Sequence, residues 1–346
     1  MVTTYKVYQD GVLVASPSAS PLTITGLTND HAYSFAASSV VDGVEGAKSA
    51  PLVLTPRAAS TPGPTPTGWA AKPAFMSYPG SAAINHDGGS DIEISGKSFN
   101  AIAYPAAAIR MSGVHNLWIH DVDFRDLDWD AIDILGCTGL VKIEWCRFGN
   151  LGAHHIASPM GRVAADFVQF DGSVVSGFIA NCKGIGNDTE DLINFYQSGG
   201  TGPGDLFEVR DCQFQGTGWV STSGTGSLLA DNTTTTGHIW WHHNSLLDTG
   251  QVGVGISQGL DCHVTDSVIY GHQRANSNVG IYTPYSGGAN PGGHEVARNR
   301  VFWKRADGSL NAFSPGGSSG AVAGLSPQTN VWDDATIDPA TLAVTL

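Results

Sequence analysis

One short pattern recurs eight times between residues 94 and 301, and it limits the fold more than any other feature of the chain. An apolar residue is followed by two variable ones, a small or stackable residue, one more, and a closing residue that is usually apolar. The copies run Ile94 to Phe99, Ile119 to Phe124, Ile143 to Phe148, Ile179 to Gly184, Val209 to Phe214, Trp241 to Leu246, Val264 to Ile269 and Val296 to Val301. Their fourth positions are Lys97, Val122, Cys146, Cys182, Cys212, Asn244, Ser267 and Asn299, separated by 25, 24, 36, 30, 32, 23 and 32 residues. Steps of that length and irregularity suit the coils of a parallel β-helix carrying loops of variable length on one side.

In such a solenoid, equivalent positions stack at about 4.8 Å. Cys146, Cys182 and Cys212 then form one interior column that Asn244 and Asn299 continue, the thiols as small hydrophobes and the amides passing hydrogen bonds between coils. A second strand per coil is read at Ala131 to Leu135, Phe167 to Phe170, Leu192 to Tyr196, Leu228 to Ala230, Val252 to Ile256 and Val279 to Tyr282, giving at least two sheets. The expected fold class is all-β: a right-handed single-stranded parallel β-helix over residues 69 to 313 behind a small N-terminal β-sandwich-like segment.

Composition agrees, with 44 glycines and only 14% charged residues in 346. A formal charge of −14 and no basic stripe argue against nucleic acid as a partner. No apolar run approaches the ~20 residues of a membrane helix, so membrane insertion is not expected. The N-terminus MVTTYKVYQDG shows no export signal. Five cysteines without a CxxC spacing read as buried free thiols, as in a protein assembled in a reducing cytoplasm.

Residues 1 to 56 alternate as strands around a hairpin at Asp10-Gly11. Leu27, then Tyr33-Ser34-Phe35, a Gly-containing turn and a closing strand at Pro51 to Leu54 resemble the second half of a fibronectin type III domain, with Tyr33 as the corner tyrosine. The family's first two strands have no counterpart, which leaves an apolar face to be covered. Residues 57 to 68, RAASTPGPTPTG, read as a Pro/Thr/Gly linker, and residues 314 to 346 as a C-terminal tail or cap over the open end of the solenoid.

Acidic residues gather on the second strand and the turn before it: Asp126, Asp128, Asp130 and Asp133, then Asp166 and Asp171, then Asp188, Glu190 and Asp191. Stacked coils would align Asp130, Asp166 and Asp191 as a carboxylate column. Carboxylates ~5 Å apart suit a retaining glycosidase and ~6.5–9.5 Å an inverting one, and crowding would raise one pKa to supply the acid. Asp and Asn also cap β-helix turns with side-chain to backbone bonds, so the same column reads equally as structure. Asp121, Asp123 and Asp126 could hold calcium but equally form a solvated face. His154-His155 and His242-His243, as strand neighbours pointing to opposite faces, do not chelate one ion. No cofactor or metal is expected.

The run DAIDILGCTGLVKIEWCRF, 130 to 148, resembles the coil signature of the pectin-lyase-like superfamily, which includes polygalacturonases, pectate lyases and bacteriophage tailspikes. Polygalacturonase motifs are absent: Asp333-Asp334 lies in the tail and VGVGISQG lacks the histidine. The resemblance implies a homotrimeric tailspike- or tail-fibre-like protein of the virion tail, assembled in the host cytoplasm. It would bind other tail proteins through the N-terminal segment and host surface polysaccharide through the β-helix. Asp133, Asp166 and Asp191, with Glu190 and Asp130, are the acid/base candidates for a depolymerase; Trp219, Tyr270, Tyr282, Tyr285 and Trp303 are the sugar platforms. A structural tail component and a secreted pectinase-like enzyme are the alternatives.

Overall fold

A computed structural model describes residues 3–18, 24–28, 31–54, 80–152, 165–186, 189–216, 224–283, 293–315 and 329–346. Two compact units divide the chain, Met1–Phe75 and Met76–Leu346. The linker read at 57 to 68 lies outside the described residues.

The first unit is an antiparallel sheet of Thr3–Gln9, Val12–Ala15, Tyr33–Val41, Val44–Glu45 and Leu52–Leu54. Asp10-Gly11 and Asp42-Gly43 both place two successive residues at positive φ. That is the backbone of the tight hairpin turn whose twist matches its strands. Tyr33 is buried, and its hydroxyl accepts the Thr28 backbone N–H at 2.9 Å. Val12, Leu13, Val14, Val44 and Val53 are exposed.

The second unit is a parallel β-helix with three strands per coil. Among the described residues nine strands, from Ile84–Asp87 through Ile132–Leu135 and Val168–Asp171 to Phe313–Pro315, form the first face. The second and third faces belong to one fifteen-stranded sheet, because Ser90–Asn100 and His115–Arg125 each run unbroken through the corner that later coils split, as in Thr138–Glu144 and Arg147–Leu151. The eight-copy pattern is that corner. Its third residue is Gly96, Asp121, Trp145, Asn181, Asp211, His243, Asp266 or Arg298, and every one has φ between 53° and 59°. Only one residue per coil is held left-handed there, a local cost that the ladders on both sides outweigh. The reversal turns the sixth residue onto a new face, so the third face lies inside the repeat.

The interior column is built as the spacing implies. Cys146, Cys182 and Cys212 are buried free thiols, and contact with its two neighbours adds to burial in pushing the Cys182 thiol up. Asn244 Oδ1 accepts the Cys212 N–H at 2.9 Å while its Nδ2 donates to the Val209 carbonyl at 2.8 Å. Asn299 Oδ1 accepts from Ser267 N at 3.2 Å, and Asn330 Oδ1 from Asn299 N at 3.0 Å. Asn330 extends the column by one coil beyond the repeats. Rings stack alongside, Phe170 on Phe195 at 4.8 Å and Phe148 on Phe167 at 4.6 Å. Gly184 breaks the apolar sixth position because the Phe148 ring occupies the space a Cβ would need.

The tail does more than end the solenoid. Val331–Trp332 pairs in parallel with Arg300–Trp303 as a ninth-coil strand. Beyond it the chain doubles back along the third face. Ile337 and Leu342 pack on Leu247 and Phe302, Val344 N donates to Gln215 Oε1 at 2.9 Å, and Lys183 donates to the Thr345 carbonyl. Leu247, Tyr270 and Phe302 form an outward apolar column by register, and the returning tail keeps it from water.

Candidate functional site

On the first face, Ile132 and Ile134 point into the core, so alternation turns Asp133 outward. Register stacks it between Arg110 on the preceding coil and Gln169 on the next, with Asn194 one coil further. A second outward column, two residues along each strand, runs Ser112, Leu135, Asp171, Tyr196 and Asp231. Asp133 is only 8% exposed despite facing out, and Arg110 Nη1 lies 3.5 Å from its Oδ2. Burial pushes its carboxyl up to about 6; Arg110 pulls against this and Asp171 adds to it. Asp171 itself is exposed. One strand spacing and two residues of rise place the Asp133 and Asp171 backbones roughly 8 Å apart.

Around this pair the face is polar. Asn232 Nδ2 donates to the Tyr196 hydroxyl at 2.7 Å, and Ser257 Oγ lies 3.3 Å from Asp231 Oδ1. Asn194 Oδ1 is buried and accepts no hydrogen bond among the described residues, an acceptor left for something else to satisfy. Further along, the half-buried Tyr282 packs its ring against Gly255, where a Cβ would collide with it.

The other acidic candidates do stack, but on the inside. Asp130 Oδ1 accepts the Asp166 N–H at 2.9 Å, Asp166 Oδ1 the Asp191 N–H at 3.0 Å, and Asp191 Oδ1 both the N–H and hydroxyl of Thr225 at 2.7 and 2.6 Å. All three are buried. Burial first, then mutual repulsion, drives the Asp166 carboxyl far above the usual carboxylate range, and burial likewise raises Asp130 and Asp191. Glu190, half-buried beside them, adds to the repulsion, and its backbone carbonyl accepts from Thr225 N at 2.9 Å. Each member lies two residues before the inward residue that opens its strand, Ile132, Val168 or Ile193, and keeps that inward parity.

Two aromatic expectations change. Trp303 is wholly buried, with its ring over Gly271 and Arg274 above it at 5.5 Å, so it is not a sugar platform. Tyr270 stacks on Phe302 at 4.9 Å beneath the returning tail. Trp219, Tyr285, Asp188 and His154-His155 lie outside the described residues. The other histidine pair departs from strand alternation: His243 is at the left-handed corner, so its Nδ1 meets that of His242 at 2.7 Å. Asp123 is held by Arg125 and Arg147 at 2.8 and 3.2 Å, and Asp126 accepts from Asn150 at 2.6 Å. Among the described residues no three His, Cys, Asp or Glu side chains converge on a metal position.

Arg110, Gln169 and Asn194 were not singled out from sequence. The signal was present: each follows the first inward residue of its first-face strand, as Asp133 does.

No protein-family model matches the chain, and no solved structure matches it. Chitinase Chi52 of Paenibacillus xylanexedens is 39% identical over 70 residues, 20% of this chain and 13% of the chitinase. That stretch is far shorter than the unit Met76–Leu346, so the likeness cannot span the β-helix.

Proposed function

We propose that the β-helix recognises a cell-surface polysaccharide on its first face and hydrolyses it, with Asp133 as proton donor and Asp171 as the base. The observation that carries this is Asp133 itself: an outward carboxyl, nearly buried, its pKa raised to about 6, diagonal to an exposed carboxyl on the next coil. A general acid needs such a perturbed group, and a carboxyl on the next coil, two residues further along its strand, leaves room between the pair for the attacking water of an inverting mechanism. Asp133 gives its proton to the glycosidic oxygen as the C–O bond breaks. Asp171 takes a proton from the water whose oxygen joins the anomeric carbon. Gln169, Asn194 and Tyr196 are placed to bind sugar hydroxyls. The short chitinase likeness supports carbohydrate as the substrate class.

In this reading the N-terminal antiparallel unit is an attachment module, and the whole is a tailspike-like receptor-binding protein working as a homotrimer. The Arg110–Asp133 pair favours one second reading, a cross-coil ion pair on a surface that binds glycan without cleaving it. Incubating the protein with surface polysaccharides and following chain length and reducing ends separates the two. Hydrolysis predicts new reducing ends with wild type and none with Asp133→Asn. Binding without new ends in either protein leaves recognition alone.

A further inference from the structure

The second face carries an outward column that the proposed site does not use. Register stacks Glu93, Trp118, Lys142, Phe178, Glu208, Trp240, His263 and Glu295 on successive coils. Aromatic rings therefore recur on alternate coils, about 10 Å apart, at Trp118, Phe178 and Trp240. The two tryptophans are mounted alike. Each indole N–H is tied to the next coil, Trp118 to Glu144 and Trp240 to Thr265, both at 2.9 Å. Each ring has a histidine two residues on against one side, His120 at 4.0 Å and His242 at 4.2 Å. Trp118 keeps 36% of its surface exposed and borders a shallow concavity with Asp91, Asn116, Leu140 and Lys142.

The two indoles, fixed by their polar edge and left partly open, suit the apolar face of a pyranose, with carboxylates and amides beside them for hydroxyls, and Phe178 between them carries the Arg210 guanidinium on its ring at 4.9 Å. In an extended β-1,4-linked chain successive sugars turn over, so the same face recurs at every second residue, as the rings recur at every second coil. Charge selects among such chains. Asp91, Glu93 and Glu144 outnumber Lys142 around Trp118, and Arg210 is paired with Glu208 and Asp211 at 2.9 Å, so an anionic polymer is repelled. We propose that the second face is a binding surface for a neutral β-1,4-linked polysaccharide lying along the solenoid axis, with Trp118, Phe178 and Trp240 on alternate sugars.

Affinity electrophoresis of the full chain through native gels containing glycol chitin or hydroxyethylcellulose tests this, with dextran and carboxymethylcellulose as comparisons. Wild type is expected to be retarded by at least one neutral β-1,4 polymer and less by the two comparison polymers. Trp118→Ala/Trp240→Ala should weaken that retardation about tenfold, and Trp118→Tyr/Trp240→Tyr should keep most of it. Should the alanine variant melt early, tryptophan fluorescence of wild type titrated with the same polymer replaces it, and an unchanged spectrum overturns the proposal. So does absent wild-type retardation, equal retardation by dextran, or undiminished retardation of a folded alanine variant. Asp133→Asn is expected to be retarded like wild type, so loss of cleavage and loss of this surface are read separately.

Discussion

Two sets of carboxyl groups occupy neighbouring coils of the same face and behave as opposites. Asp130, Asp166 and Asp191 sit in the turn, point inward and each accept a backbone N–H of the next coil on Oδ1. Asp133 and Asp171 sit in the strand, outward, and among the described residues Asp133 meets a long contact from Arg110. A raised pKa therefore does not mark a site by itself. The interior column is the more strongly perturbed, yet it is buried and holds the backbone of successive coils together, while the outward pair faces a polar surface.

The interior column also has a neutral twin. Asn244, Asn299 and Asn330 do at the other corner what the three aspartates do at theirs, with an amide that cannot titrate. The largest effect we predict is on that twin. Asn299→Leu strands the Ser267 N–H and the Val264 carbonyl inside the solenoid, costing on the order of 2–4 kcal/mol in urea unfolding.

Next in size is a pH effect that the aspartates should have and the asparagines should not. Their folded pKa values lie above the ordinary carboxylate range, so the folded state keeps protons that the unfolded chain releases near ~pH 4. Their stability contribution is complete in acid below that value, falls as pH rises toward the folded pKa values, and is lost above them. Asp166→Asn retains the acceptor for Asp191 and removes that loss. It should therefore raise the melting temperature at pH 8, change it little at pH 4, and flatten the profile between.

Smaller still is the tuning of Asp133. Arg110 lowers its pKa, so Arg110→Gln should move the alkaline limb of the cleavage profile to higher pH, by on the order of one unit or less. Asp171 raises it, but Asp171→Asn also removes the base, so that variant should lose turnover while a burial-shifted Asp133 still titrates by NMR.

The sequence made the solenoid legible because a coil repeats its corner. The apolar, stackable, apolar spacing located eight coils and the interior Cys/Asn column, and the apolar runs gave six of the first-face strands, while Ile84–Asp87, Ile109–Ser112 and Phe313–Pro315 went unread and Thr225–Asp231 was read only as Leu228 to Ala230. It could not show that the repeat straddles two faces, since a single left-handed residue such as Trp145 or Arg298 leaves no compositional mark. The acidic column was equally visible, but its direction was not. Asp130 and Asp166 lie two residues before their strands open at Ile132 and Val168, on the inward parity, and that count needs strand boundaries the sequence leaves open by a residue or two. Trp303 reads as a surface ring until Gly271 beneath it is seen to make room.

Reducing-end release from a cleaved surface polysaccharide, measured side by side for wild type, Asp133→Asn and Asp166→Asn, tests the division between the two carboxyl sets most directly. We predict that Asp133→Asn abolishes release while Asp166→Asn, folded and at least as stable, retains it. Release lost in Asp166→Asn and kept in Asp133→Asn would contradict the account and return the chemistry to the interior column.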